Sequence, residues 1–104
     1  MKRHEVWLVG LDPVQGSEIA KTRPCIIVSP DELNDRLATL IAAPLTSTRR
    51  SWPCRVPVTF KSIAGEAALD QIRAIDKTRL VRRLGALRAD EASRVSAFLV
   101  EMFR

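Results

Sequence analysis

Pro24-Cys25-Ile26-Ile27-Val28 decides how the rest of the chain is read. It is an unbroken apolar run, rich in β-branched residues, with a proline at its start and Pro30 just beyond its end. So short a run bounded by prolines reads as a buried strand rather than a helix. Working outward, Leu37 to Leu45 is a second buried strand, interrupted by Thr39 and Pro44. It falls far short of the ~20 apolar residues a membrane span requires. Glu5 to Leu11 alternates loosely as a strand and ends in the turn Asp12-Pro13. Cys54 to Phe60 alternates as another strand, and Glu66 to Leu69 and Gln71 to Ile75 are short candidates. Pro30 to Asn34 reads as a helical turn, with Ser29 as its N-cap and Asp31 and Glu32 beside its N-terminus. Arg88 to Phe103 is the one long helix. Asp90 and Glu91 occupy its first turn, and Ala92, Val95, Leu99, Met102 and Phe103 recur at helical spacing. Short strands closed by a terminal helix imply a mainly β fold, a curled antiparallel sheet that fits an SH3-like barrel.

The chain of 104 residues suffices for one domain, read as residues 1–104, and its 46% hydrophobic and 28% charged content argues against disorder. Met1-Lys2-Arg3-His4-Glu5 leads directly into a strand with no signal-peptide core, so a cytoplasmic protein with no membrane partner is expected. Cys25 and Cys54 lie in apolar strands and read as buried free thiols. With one histidine, His4, remote in sequence, they cannot complete a zinc site, and neither a metal nor another cofactor is expected. His4 itself reads as a solvated terminal residue, and Trp7 as core or subunit interface. The formal net charge is +5, and Arg49 to Arg83 holds nine basic residues against three acids. Such an excess suits a polyanion, because phosphate contacts release condensed counterions, although a solvated surface would look the same. Residues 14–22 form a polar connection that is long for a hairpin, and long ordered loops often carry function.

Three stretches acquire a common meaning when taken together. Glu5-Val6-Trp7-Leu8-Val9-Gly10-Leu11-Asp12-Pro13 is followed by Gly16-Ser17-Glu18 and Lys21-Thr22-Arg23-Pro24. Ala43-Pro44-Leu45-Thr46-Ser47 comes next, then Asp70-Gln71-Ile72-Arg73-Ala74-Ile75-Asp76 with Arg79-Leu80. In this order and spacing, over nearly the whole chain, they resemble the MazF/PemK/Kid family of toxin endoribonucleases. The resemblance implies an SH3-like barrel of the MazF/PemK/CcdB kind, a homodimer, a proteinaceous antitoxin and cleavage of single-stranded RNA at short motifs. DNA binding is implied only through the toxin–antitoxin complex.

Metal-free RNA cleavage uses the ribose 2′-hydroxyl as nucleophile. The protein then has only to accept that proton, stabilise the phosphorane and protonate the leaving 5′-oxygen. Arg23 stands where the polar loop meets a buried strand, held extended by Pro24, and its guanidinium can grip a phosphate in a fork. By resemblance it matches the family's catalytic arginine, which also serves as a candidate acid. Thr46 follows a strand and can donate a hydrogen bond to a phosphoryl oxygen. It matches the family's catalytic threonine, with Ser47 as an accessory contact. Glu18 is a candidate base or a partner that positions Arg23. Asp70 matches an acid of Kid-like members, but their arginine two residues earlier is Ala68 here, which favours an Arg23/Thr46 arrangement. Some members also have a histidine where Ser17 stands. Each residue has a plainer reading, as a surface arginine, turn residues or a structural acid. Arg49, Arg50, Lys61, Arg73, Lys77 and Arg79 supply charge for RNA, and Trp52 can stack on an unpaired base or pack on the barrel.

Two alternatives share the fold: a gyrase-poisoning toxin of the CcdB type and an RNA-binding barrel without catalysis. The first depends on a C-terminal tryptophan, and this chain ends Met102-Phe103-Arg104. An acidic, extended antitoxin segment is expected to compete for the Arg49 to Arg83 surface, reshaping the 14–22 and 46–53 loops as it docks.

Overall fold

In a computed structural model that describes residues 1–13 and 15–104, the apolar run at Pro24 lies in β2 (Thr22–Ile27). Its neighbours are β1 (Glu5–Gly10) and β3 (Thr39–Thr46), both antiparallel to it. The run is apolar throughout because both faces of β2 are covered. Ile26 feeds one core with Val6 and Ala43, while Cys25 and Ile27 feed a second with Val9, Ala42 and Leu40. Period-2 geometry sends successive side chains to these two cores, so no position in the run can be polar.

The remaining strands are β4 (Arg55–Phe60), β5 (Ile63–Ala68), β6 (Arg73–Asp76) and β7 (Leu80–Ala86). Among the described residues the sheet runs β4-β5-β3-β2-β1-β7, with β6 also paired to β3. β3 divides its length between two partners: Thr39 to Ala42 pairs with β6, and Leu45 and Thr46 pair with β5. Pro44 stands at the changeover, opposite Cys25. This hand-over curls the sheet into an open, half-barrel form. Register shifts between β1 and β7 at Val6/Trp7 and Leu8/Val9 add local twist. Helix α2 (Ala89–Met102) packs on the first core through Ala92 and Val95.

Several expectations change in detail. β7 was absent from the sequence reading: its arginines and exposed positions mark an edge strand, whose half-solvated face breaks the alternation. The first half of β3 alternates, with Ile41 exposed, rather than being buried throughout. Ser29 does not cap the short helix α1 (Asp31–Arg36). Pro30 occupies the cap position without a side-chain bond, while Ser29 Oγ accepts from Ile41 N at 2.9 Å and so ties the helix start to β3. Phe103 lies off the buried face of α2 and is 70% exposed. His4 is half-buried, its Nε2 3.1 Å from Ser96 Oγ, and burial lowers its pKa, with Arg3 adding in the same sense. Both cysteines are free, but Cys54 is only partly buried. No helix among the described residues is long and apolar enough to cross a membrane.

Candidate active site and its supports

The end of β3 and the start of β2 meet at a cleft of about 240 Å³. Arg23, Thr46 and Ser47 supply its polar groups, and Val58, Phe60 and Ile63 much of its apolar wall. Arg23 is in β2 opposite Val9, and its Nε donates to Ala20 O at 3.0 Å. That bond fixes the side chain through one nitrogen and leaves the terminal amino groups to face a ligand. Thr46 Oγ1 accepts from Thr48 N at 3.1 Å, so its hydroxyl proton remains available for donation.

Thr46 is held in place from below. It pairs with Glu66 of β5, and Gly65 comes so close that a Cβ there would lie 2.3 Å from Thr46 O. Only glycine permits this approach.

A second cleft, of about 150 Å³, is lined by Glu18, Pro44, Asp70, Gln71 and Arg73 among others. The candidates from the sequence therefore divide: Arg23, Thr46 and Ser47 share one cleft, Glu18, Asp70 and Arg73 the other. The loop carrying Glu18 is moored by Ile19 N donating to Gln71 Oε1 at 2.7 Å. Glu18 Oε1 accepts from Gln15 N at 2.6 Å, whereas Arg23 is tied to the backbone at Ala20. Val14, at the start of this loop, lies outside the described residues.

Arg49, Arg50 and Trp52 lie exposed on the segment leaving Ser47, and Lys61 adjoins the first cleft, its Nζ 5.9 Å from the Phe60 ring centroid. Lys77 and Arg79 line neither cleft. Lys77 Nζ donates to Asn34 O, and Arg79 Nη1 donates to Asp12 O at 2.6 Å, so both brace backbone. Arg73 Nη1 donates to Leu11 O at 3.4 Å from the edge of the second cleft.

Sequence reasoning passed over three residues: Gly65, Arg55 and Glu66. Arg55 lies opposite Ala68 and forks onto Asp70, Nε to Oδ1 at 2.7 Å and Nη2 to Oδ2 at 3.2 Å. Asp70 thus has a guanidinium partner, delivered from the adjacent strand. Glu66 is 1% exposed. Burial pushes its carboxyl pKa up, but the amides of Arg50 and Ser51 and the charge of Arg55 outweigh this and hold it low. A lone acid inside Ala64-Gly65-Glu66-Ala67-Ala68 was the available signal, because a charge in so apolar a strand needs partners. Burial raises the Cys25 thiol to about 12, despite Arg73 and Arg23 nearby, which removes it as a nucleophile. Among the described residues no group of three His, Cys, Asp or Glu could hold a metal ion.

Residues 2–103 match the PemK-like, MazF-like toxin of type II toxin–antitoxin systems. The chain is 33% identical over 109 aligned positions to Endoribonuclease MazF9 of Mycobacterium tuberculosis, covering 95% of this chain and 92% of that protein. Its fold is similar to a crystal structure of MazF from Deinococcus radiodurans, with a TM-score of 0.87 at 23% identity, covering 99% and 96% of the two chains. It is also similar to an endoribonuclease in complex with its cognate antitoxin from Mycobacterial species, with a TM-score of 0.83 at 24% identity and coverage of 99% and 94%. The match over almost every residue, on a fold that sets Arg23 and Thr46 in one cleft, places this chain in the PemK-like, MazF-like family of toxins of type II toxin–antitoxin systems.

Proposed function

We propose that this endoribonuclease toxin cleaves single-stranded RNA by metal-independent transfer within the ribose, using the cleft that Arg23 and Thr46 share. The observation that carries the reading is that cleft: a guanidinium whose amino groups and a hydroxyl whose proton are unengaged among the described residues converge beside an apolar wall. The 2′-hydroxyl yields its proton to the base as its oxygen attacks the adjacent phosphorus and the P–O5′ bond breaks. The leaving oxygen takes a proton from Arg23 or from water, so the products carry a 2′,3′-cyclic phosphate and a 5′-hydroxyl. Arg23 binds the two non-bridging oxygens as charge accumulates on them, and Thr46 donates a further hydrogen bond. Ser47 is an accessory contact.

The base is Glu18, for a strand lying across both clefts. Asp70 commits both oxygens to Arg55, whereas the hydrogen bond at Glu18 engages only Oε1. RNA is drawn in by Arg49, Arg50, Lys61 and Arg73. Lys77 and Arg79, occupied with backbone carbonyls, contribute charge at longer range.

Residues 1–104 act as one toxin domain, in the cytoplasm where messenger RNA is found, and as a homodimer. The antitoxin is acidic, since it must cover a basic surface, and its affinity should fall as salt rises.

Substitution of the two donors tests the assignment. Arg23→Ala should lower the single-turnover cleavage rate by about 10²-fold or more, the usual cost of one transition-state donor. Arg23→Lys should stay impaired, because a point charge lacks the fork, and Thr46→Ala should lose less. A folded Arg23→Ala protein that cleaves at the wild-type rate removes Arg23 from the mechanism.

A further inference from the structure

Arg55 is the one buried arginine or lysine among the described residues, and it sits at the centre of a network outside the cleavage cleft. Its Nε and Nη2 hold Asp70, its Nη1 lies 3.7 Å from Glu66 Oε1, and its guanidinium carbon is 4.8 Å from the centroid of the Trp52 indole. Glu66 turns its oxygens to the backbone of the segment after Ser47: Oε1 accepts from Arg50 N at 2.8 Å and Oε2 from Ser51 N at 2.9 Å. Arg55 N donates to Trp52 O at 3.2 Å. The Arg50 guanidinium lies 5.5 Å from the same indole.

Among the described residues no strand pairs with the exposed segment 47–53, so its order must come from such contacts, against the conformational entropy of fixing it. Two carboxylates already balance the charge of Arg55, so it has little left for a phosphate. Its flat face supports the indole, which remains 53% exposed.

We infer that Arg55 and Glu66 are positioning residues for RNA binding, which hold Arg50 and Trp52 in the arrangement that receives an unpaired base and its phosphate. Asp70 extends the network to the second cleft, where it tethers Arg55. This deepens the endoribonuclease reading and rests on it. Glu66 faces Thr46 across β3 and β5, so the strand pair that presents the cleavage cleft also anchors the RNA-binding segment.

The test compares wild type with Glu66→Gln, Arg55→Lys and Trp52→Ala in three measurements. Amide hydrogen exchange over 47–53 is read without RNA. Equilibrium binding is read with a single-stranded RNA whose 2′-hydroxyls are methylated, so that it cannot be cut. The single-turnover rate is read at saturating cleavable RNA. Glu66→Gln should speed exchange at Arg50 and Ser51 about tenfold and weaken the blocked RNA about tenfold, with a smaller effect on the saturated rate. Arg55→Lys, which keeps a charge but loses the flat support, should weaken binding in the same way. If Glu66→Gln or Arg55→Lys does not fold, Trp52→Ala, at an exposed site, still must weaken the blocked RNA.

Faster exchange with unchanged RNA affinity would reduce the network to a structural brace and overturn the inference. Unchanged exchange in Glu66→Gln would overturn it as well, and so would undiminished binding by Trp52→Ala. Wild-type protein that binds the blocked RNA but never cuts the cleavable one would defeat the endoribonuclease reading instead.

Discussion

Gly65 shows how much of a site can hang on one missing carbon. A Cβ at that position would meet the Thr46 carbonyl oxygen at 2.3 Å, a backbone atom that cannot swing aside. Gly65→Ala should therefore push Thr46 out of the cleft, lowering both the melting temperature and the cleavage rate. The rate should fall at least as far as in Thr46→Ala, because the shift also moves Ser47. Cleavage and thermal unfolding at wild-type values would show that the strands can separate without harm. Motif spacing singles out Arg23, Thr46, Ser47, Glu18 and Asp70, at loop ends beside buried strands, and the fold brings the first three to one cleft and the last two to the other. It passes over Gly65, Arg55 and Glu66. Their roles depend on which strand lies next to which, and sequence separation hides that Arg55 faces Ala68 or that Glu66 faces Thr46.

At the scale of elements, legibility follows burial. β2, covered on both faces, and α2, with its acids first and its apolar stripe behind, stood out because their environments are uniform. β7 has a mixed environment and was invisible, although it holds the edge of β1. Glu5 joins these edges: it accepts from Trp7 Nε1 and Lys2 N, both at 3.0 Å, and from Arg83 Nε at 2.9 Å. Burial alone would raise its pKa, but the hydrogen bonds of Trp7, Lys2 and Arg83 outweigh it and bring the carboxyl to about 2. Because the folded value lies below the ordinary 4.5, the stability Glu5 adds is fully present above pH 4.5 and is lost as pH falls toward 2. Urea unfolding of wild type and Glu5→Gln should therefore differ most near neutrality, with the difference shrinking below pH 4.5 and closing only as pH reaches about 2. A difference that stays constant from pH 7 to pH 2.5 would show that the carboxylate is not the source of the effect.

The whole molecule turns a curled sheet into two neighbouring clefts on a basic body with net charge +5. A barrel of this size offers little concave surface alone, and a twofold partner would lengthen the basic path for RNA. Analytical ultracentrifugation at assay concentration should find a dimer, and a monomer with full activity would contradict that arrangement. The central claim is that Arg23 and Thr46 drive attack by the ribose itself. The most direct measurement is cleavage of a single-stranded RNA in excess EDTA, with the chemical ends of the products identified. Cleavage at an undiminished rate, with 2′,3′-cyclic phosphate and 5′-hydroxyl ends, is the predicted result. Products with 5′-phosphates, or cleavage that appears only when divalent metal is restored, would contradict the account.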